Sequence, residues 1–412
     1  MVKITLDKYR LPPIFFSVVV ATYVISALAF ESTSETAWIS TLAIYVVFVS
    51  GLLYLLMWRR IKINAYVSSI ALMWLYALAM SMVPNASTSM GSQIAYLMLT
   101  CTILCIMVYW IVSDYMQTVP AIILANIIGA FVLSLRIVTA YGGIAQVLAF
   151  ASQTGERRIG GVVNNENAIG LFLAEGVLAC LLFLMTGKRR KIVKVGLIAG
   201  MIILLAMILL TGSRKATVFA VLGIILFLLM FFRRERWWKK FLLIVLLVAV
   251  IIVALNLLKN IPAFSTIFNR FELLFEGLFQ GSSSYRTDET RADMISAGLA
   301  AFWENPVFGN GTGYSYRLFG TYSHNNYVEL LMNYGLIGFL IYYIPYAILL
   351  IRLWKRVKLQ DTYAMHFLVY IALQLALGIG WVNYYDRMTQ LLTAAAWGYL
   401  SNSNSIERRE SQ

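Results

Sequence analysis

Long apolar runs separated by short polar breaks dominate the chain. IFFSVVVATYVISALAF at 14–30 and FLLIVLLVAVIIVALNLL at 241–258 are representative. A membrane-spanning helix needs about 20 mostly apolar residues. On that measure spans are predicted near 12–30, 37–57, 64–83, 94–112, 118–135, 163–186, 193–211, 214–232, 241–258, 324–350, 363–384 and 388–400. The pattern predicts an all-α polytopic integral membrane protein with about 12 transmembrane helices. The opening MVKITLDKYRLPP leads into a full-length apolar segment with no small-residue cleavage site after it, so the first segment is expected to remain as a span.

One polar interruption is much longer than the others. Residues 259–322 form a loop before the segment that begins at His324. Long loops between spans are more often functional than idle. Within it, FSTIFNRFELLFEGLF at 264–279 has the spacing of an amphipathic helix lying on a membrane surface. TDETRADMISAGLAAFWENP at 287–306 also reads as helix, with an acidic first turn and Pro306 past its end. FGNGTGYSYRLFG then reads as a glycine-rich turn region. The predicted organisation is nine spans over 1–258, a partly helical external loop over 259–322, three spans over 323–400 and a disordered tail over 401–412. There is no internal repeat.

Composition agrees with this pattern. The chain is 60% hydrophobic and 13% charged, whereas soluble domains carry about 25% charged residues. A net charge of +14 would suit nucleic acid in a soluble protein; here it reflects basic loops on the cytoplasmic side, and no nucleic-acid partner is expected. Placing both termini in the cytoplasm puts 22 of the 33 Lys and Arg on the inner side. These include Lys3, Lys8, Arg10, RRIK at 59–62, KRRKIVK at 188–194, RRERWWKK at 233–240 and RLWKRVK at 352–358. Cys101, Cys105 and Cys180 all fall in apolar segments and read as small buried hydrophobes.

The outer minority of charges carries the candidate chemistry. His324 stands at the start of a span, where the helix dipole disfavours the imidazolium and favours the free base. Such a base could deprotonate an alcohol. An interfacial histidine hydrogen-bonded to Asn325 or to a loop carbonyl would read the same way. His366, on the inner side, reads as structural. Ser213 and Arg214 in TGSRKA open another span from the outside, and a helix N-terminus with an arginine suits phosphate; an arginine snorkelling to lipid headgroups is the alternative, with Lys215 the better snorkeller. Arg157 and Arg158 precede IGGVVNNENAIG, where Asn165 and Asn167 either cap the helix or join a phosphate clamp with Arg158. Arg286, Arg291 and Arg317 lie in the long loop, where solvated arginines are common. Glu175 and Glu329 fall inside spans, a costly place that calls for a cavity or a partner. Glu329 follows His324 by five residues, so the two do not stack on one helix face; an arginine is its expected partner. No Asp-x-Asp, His-x-x-x-His or Cys-x-x-Cys occurs, and no carboxylate cluster suggests magnesium. No metal site and no cofactor is expected.

HNNYVELLMNYGLIG at 324–338 fits the pattern His-(Asn/Ser/Gln)-nine residues-Gly-two residues-Gly through His324, Asn325, Gly335 and Gly338. In this the chain resembles the O-antigen ligase and Wzy-type polysaccharide polymerase superfamily. TGSRKA, RIGGVVNNENAIG and TRADMISAGLAAFWENPVFGNGTGYS resemble further motifs of that family, so the likeness runs from about 158 to 338. One departure is Glu166, where proline is expected.

The resemblance implies a metal-independent glycosyltransferase of the bacterial cytoplasmic (inner) membrane. It would act on the outer face with undecaprenyl-diphosphate-linked glycan as donor. His324 would be the base that activates an acceptor hydroxyl, and Arg158, Arg214 and Arg291 would hold the diphosphate. Ser213, Asn325, Asn165, Asn167, Gly335 and Gly338 would support them. Polymerisation of lipid-linked repeat units into O-antigen, capsule or exopolysaccharide is the first expectation. Ligation to lipid A core or another acceptor is the second. Expected partners are lipid-linked donor and acceptor, membrane lipids and other polysaccharide assembly proteins. A lipid-linked-oligosaccharide flippase would explain the spans without a base, but would line the midplane with charge. A peptidoglycan polymerase would need an essential loop aspartate, for which only Asp288 and Asp293 are available.

Overall fold

The structure, a computed structural model, describes residues 11–31, 35–58, 61–153, 157–160, 165–187, 189–280 and 286–410. Lys3, Lys8, Arg10, Arg59, Arg60 and Lys188, counted above as inner charges, lie outside the described residues. The described chain is helical, with no strand. In chain order the helices are α1 (Leu11–Phe30), α2 (Ala37–Trp58), α3 (Ala65–Met80), α4 (Gly91–Asp114), α5 (Thr118–Ala140) and α6 (Ile144–Ala151). Then come α7 (Glu166–Met185), α8 (Lys191–Leu210), α9 (Arg214–Phe231), α10 (Trp237–Lys259), α11 (Ser265–Gln280) and α12 (Arg286–Glu304). The last four are α13 (Tyr314–Phe319), α14 (Asn326–Val357), α15 (Thr362–Leu377) and α16 (Arg387–Glu410).

Among the described residues, eight helices are long and apolar enough to cross a membrane: α1, α2, α4, α5, α7, α8, α9 and α14. The protein is therefore a multi-pass membrane protein. Helices α3 and α15 are apolar but only 16 residues long, and α10 and α16 have side chains outside the described residues. Each of the twelve expected spans coincides with a helix. The long loop holds the two expected helices, α11 and α12.

Two elements differ from expectation. Helix α6, with the sequence IAQVLAFA, lies inside what reads as a plain outer loop. Helix α16 continues to Glu410, through most of the 401–412 segment expected to be disordered. Extending an existing helix adds a hydrogen bond for each residue ordered, and IERRE consists mostly of good helix formers.

In a bilayer, helices associate by close packing rather than by escape from water. The contacts here use small residues. An added Cβ on Gly129 of α5 would come within 2.8 Å of Leu28 in α1, and one on Gly398 of α16 within 2.8 Å of Val112 in α4. Gly176 of α7 meets Ala130 of α5 at 2.6 Å by the same measure.

Polar ties gather at the two ends of the bundle. At one end Arg387 pairs with Glu31 at 2.9 Å, Arg136 bonds Ala29 O and Thr36, and Arg317 bonds Pro84 O at 3.0 Å. At the other end Lys62 and Tyr54 both meet Asp114. There Asn402 bonds Ser113 O at 2.9 Å, and Arg233 bonds Lys358 O. Each of these ties joins residues that the expected alternation of twelve spans would put on the same side.

Candidate functional site at the starts of two helices

Helix α14 is not continuous. Gly335 has φ 62° and ψ −165°, outside helical space, in the middle of the apolar run. The segment 306–311 fills the break. Leu336 N and Ile337 N donate to Pro306 O and Val307 O at 2.9 and 3.2 Å. Asn310 N and Gly311 N donate to Met332 O and Asn333 O, both at 2.9 Å. Non-helical backbone at membrane depth is tolerated only where protein satisfies its polar groups, and the 306–311 segment does that here. A Cβ on Gly335 would overlap Val307 O, and one on Gly309 would sit 2.5 Å from Gly335 N. Gly338, the second glycine of the motif, packs against Tyr334 and Tyr76. The same segment reaches α3: Thr312 Oγ1 donates to Ala77 O at 2.6 Å and Thr312 N to Met80 O at 3.0 Å.

His324 lies two residues before this helix with φ 58°. The left-handed region is uncommon for residues other than glycine, though histidine is among those that visit it. The flanking residues hold it there. Asn325 caps α14, its Oδ1 accepting Tyr327 N at 3.0 Å and Val328 N at 3.1 Å. Ser323 Oγ donates to Asn325 O at 2.9 Å. Asn326 is tied to the α15–α16 loop: its N donates to Gly378 O at 2.7 Å, and its Oδ1 accepts Asn383 N and Tyr384 N. The half-buried imidazole faces the Tyr322 ring at 4.3 Å. Burial, then the positive charges of Arg291 and Lys215, lower its pKa from 6.5 to about 4. At neutral pH the ring is the free base.

The second cluster forms where α7 and α9 begin. Arg158 donates through Nε to Thr211 O at 3.0 Å and through a terminal nitrogen to Asn167 Oδ1 at 2.9 Å. Ser213 donates to the same Asn167 oxygen at 3.1 Å, and its Oγ caps α9 at Ala216 N. Gly212, at φ 61°, leaves room for the Arg158 side chain to cross the turn. Arg214 donates to Arg270 O at 3.3 Å, tying α9 to α11. Glu166, the departure from the expected proline, meets Arg158 at 3.4 Å.

The site residues thus fall into two groups. Arg158, Asn167, Ser213 and Arg214 come together at the α7 and α9 starts. Arg291 and Lys215 act electrostatically on His324. Lys215, read above as a snorkeller, instead donates to Gly380 O in the loop that also holds Asn326. It therefore connects the two groups, being next to Arg214 in sequence. Asn165 is a cap, accepting Asn167 N at 2.9 Å. Arg157 lies over the Phe150 ring at 5.5 Å, and His366 is buried in α15. Glu175 takes neutral donors, Tyr370 OH at 3.1 Å and Gln374 Nε2 at 3.3 Å. Glu329 is tied to the backbone N–H of Ser323 at 2.7 Å, not to the arginine expected; Arg317 of the loop instead donates to Pro84 O. Among the described residues, no group of three or more His, Cys, Asp or Glu could hold a metal ion.

A multi-pass helical protein with a histidine at a broken, loop-stitched helix and arginines at helix starts is the class that fold and site define. Residues 199–343 match the model of the O-antigen ligase family, which supports the resemblance to the O-antigen ligase/Wzy superfamily. The matched stretch includes Ser213, Arg214, Arg291, His324, Gly335 and Gly338; Arg158, Asn165 and Asn167 precede it. No curated protein matches the chain. The family points to an enzyme that transfers glycan in polysaccharide assembly.

Proposed function

We propose that this protein is a polymerase of lipid-linked repeat units. It transfers a glycan from an undecaprenyl-diphosphate carrier to a sugar hydroxyl on a second lipid-linked unit. The observation that carries the reading is His324: a neutral imidazole in a left-handed turn, facing positive charge, at the mouth of a broken helix. In the reaction its free ring nitrogen takes the acceptor hydroxyl proton. The hydroxyl oxygen bonds to the anomeric carbon, and the carbon–oxygen bond to the diphosphate breaks, with the diphosphate taking the electron pair. Arg158, Arg214 and Arg291 bind the diphosphate and stabilise it as it leaves. A ring with a pKa of about 4 is a weak base. A bound diphosphate offsets the charge of Arg291 and Lys215, and so raises the basicity of His324 once donor is in place.

In this reading both termini are cytoplasmic, the site opens on the outer face of the inner membrane, and positive charge comes from arginine and lysine with no metal. Other polysaccharide assembly proteins are its partners in the membrane. Ligation to lipid A core or another acceptor is the second reading, favoured by the description of the matched family.

The test uses protein in nanodiscs with undecaprenyl-diphosphate-linked repeat units in EDTA, wild type beside His324→Ala. A ladder of longer lipid-linked glycans, lost in the variant, is the expected result. Transfer only after lipid A core is added would establish ligation. An unimpaired ladder from the variant would remove His324 as the base.

A further inference from the structure

We infer that Glu329 is a positioning residue for His324, acting through the backbone N–H of Ser323. The inference rests on the proposed role of His324 as base. Glu329 is 0% exposed on the first turn of α14. A carboxylate so placed is costly and calls for a specific partner. No Lys or Arg among the described residues makes an ion pair with it. Its Oε2 instead reaches back six residues to Ser323 N at 2.7 Å.

The geometry is an enlarged capping box. In the ordinary form a Glu in the first turn reaches back to the N–H of the capping residue itself. Here the cap is Asn325, and Glu329 passes over it to the residue before His324. The ring so closed spans six residues instead of three, and it includes the left-handed histidine. Ser323 Oγ closes the other side of the turn by its bond to Asn325 O. A left-handed conformation at a residue with a Cβ persists only where the surroundings hold it. Without an acceptor at 329, Ser323 N–H loses its partner, residues 323–325 relax, and the imidazole swings away from the acceptor hydroxyl. Helical spacing shows none of this, because the link runs through the main chain and not between the two side chains.

Reach and an acceptor oxygen are therefore what position 329 supplies, not charge. Glu329→Gln keeps both reach and acceptor. Glu329→Asp keeps the charge but is one methylene short, and Glu329→Ala removes the acceptor. The experiment measures glycan transfer by these three variants, the wild type and His324→Ala in nanodiscs. It also follows diethyl pyrocarbonate modification by mass spectrometry. His324 and His366 are the two histidines of the chain, and His366, buried in α15, reports on the integrity of the fold.

The expected result is a kcat lowered about 100-fold in the Ala and Asp variants, the scale of a 1 Å misplacement. Donor KM changes less than about threefold, His324 is modified faster, and His366 stays protected. The Gln variant stays within about threefold of wild type on every measure. If Gln is as damaged as Ala, or Asp retains full kcat, the inference fails. It also fails if His366 loses protection in step with activity, which marks a merely structural role. Activity surviving in His324→Ala would instead overturn the proposed function, a different outcome from intact Glu329 variants beside an inactive His324→Ala.

Discussion

Helices α9 and α14 begin in similar ways and use the similarity differently. Both are capped by a side-chain oxygen, Ser213 in one and Asn325 in the other. At α9 the residue proposed to bind diphosphate, Arg214, is the first residue of the helix and its backbone is ordinary. Its neighbours Arg158, Asn167 and Arg270 share a network of side-chain and carbonyl bonds. At α14 the proposed base, His324, stands outside the helix, in a strained turn closed by Ser323 and Glu329. A diphosphate is large and accepts hydrogen bonds from many directions, so a clamp tolerates several arrangements. A base must meet one proton along one line. In the proposed reaction the same capping chemistry serves a forgiving task at one helix start and an exacting one at the other.

The comparison can be broken most severely at His324. Its replacement by alanine should lower kcat about 10²–10⁴-fold, the usual contribution of a general base, with donor KM nearly unchanged in initial-rate measurements. Gly335→Ala comes next. It places a Cβ against Val307 O in a positive-φ conformation, costs about 1–3 kcal/mol from backbone strain alone, and should lower Tm in a thermal melt. Arg158→Ala or Arg214→Ala should act on the other helix start. Losing charge-assisted bonds worth about 1.5–3 kcal/mol raises donor KM roughly 10–100-fold, read from saturation curves. Cap removal is smaller still: Asn325→Ala and Ser213→Ala should each cost about 1 kcal/mol of stability. Asn325 should cost more, because it accepts two N–H groups and Ser213 one.

The last prediction concerns pH. Protonating His324 removes the base, so activity falls as pH drops through its pKa. In free protein that pKa is about 4, which puts the acid limb of kcat/KM near pH 4. Bound diphosphate offsets Arg291 and Lys215, so the limb of kcat should lie at higher pH, closer to the unperturbed 6.5. Coincident limbs would mean that the donor does not sit between these cations and the ring.

Much of this is legible in the sequence. The apolar runs locate the helices, and the His324, Asn325, Gly335 and Gly338 spacing carries a family resemblance that the match over residues 199–343 supports. The long loop reads correctly as two helices and a glycine-rich turn. What escapes is what acts through space. Nothing in NNEN says that Asn165 caps while Asn167 bridges two other residues, since both are equally good caps. Nothing in the α14 run says that Gly335 interrupts it, because the interruption depends on a loop that fills the break. Glu329 is misjudged for the same reason: helical spacing compares side chains, and its bond goes to backbone. Helix α6 is short and follows two turn glycines, Gly142 and Gly143, below the length at which periodicity speaks.

The stitch at Thr312 has a consequence for how the molecule is made. Its hydroxyl binds a carbonyl of α3 that precedes it by 235 residues. During synthesis α3 and α4 emerge long before this loop exists. The last-turn carbonyls of α3 that later accept from Thr312 must be hydrated, or met by other donors, for the interval. The early helices can enter the bilayer one by one, and α1 and α5 can be tied through Arg136 at once, but α3 stays unfastened to the segment before α14 until the ribosome has passed residue 312. Closure around the break in α14 is then a late event, set by the arrival of one short glycine-rich segment.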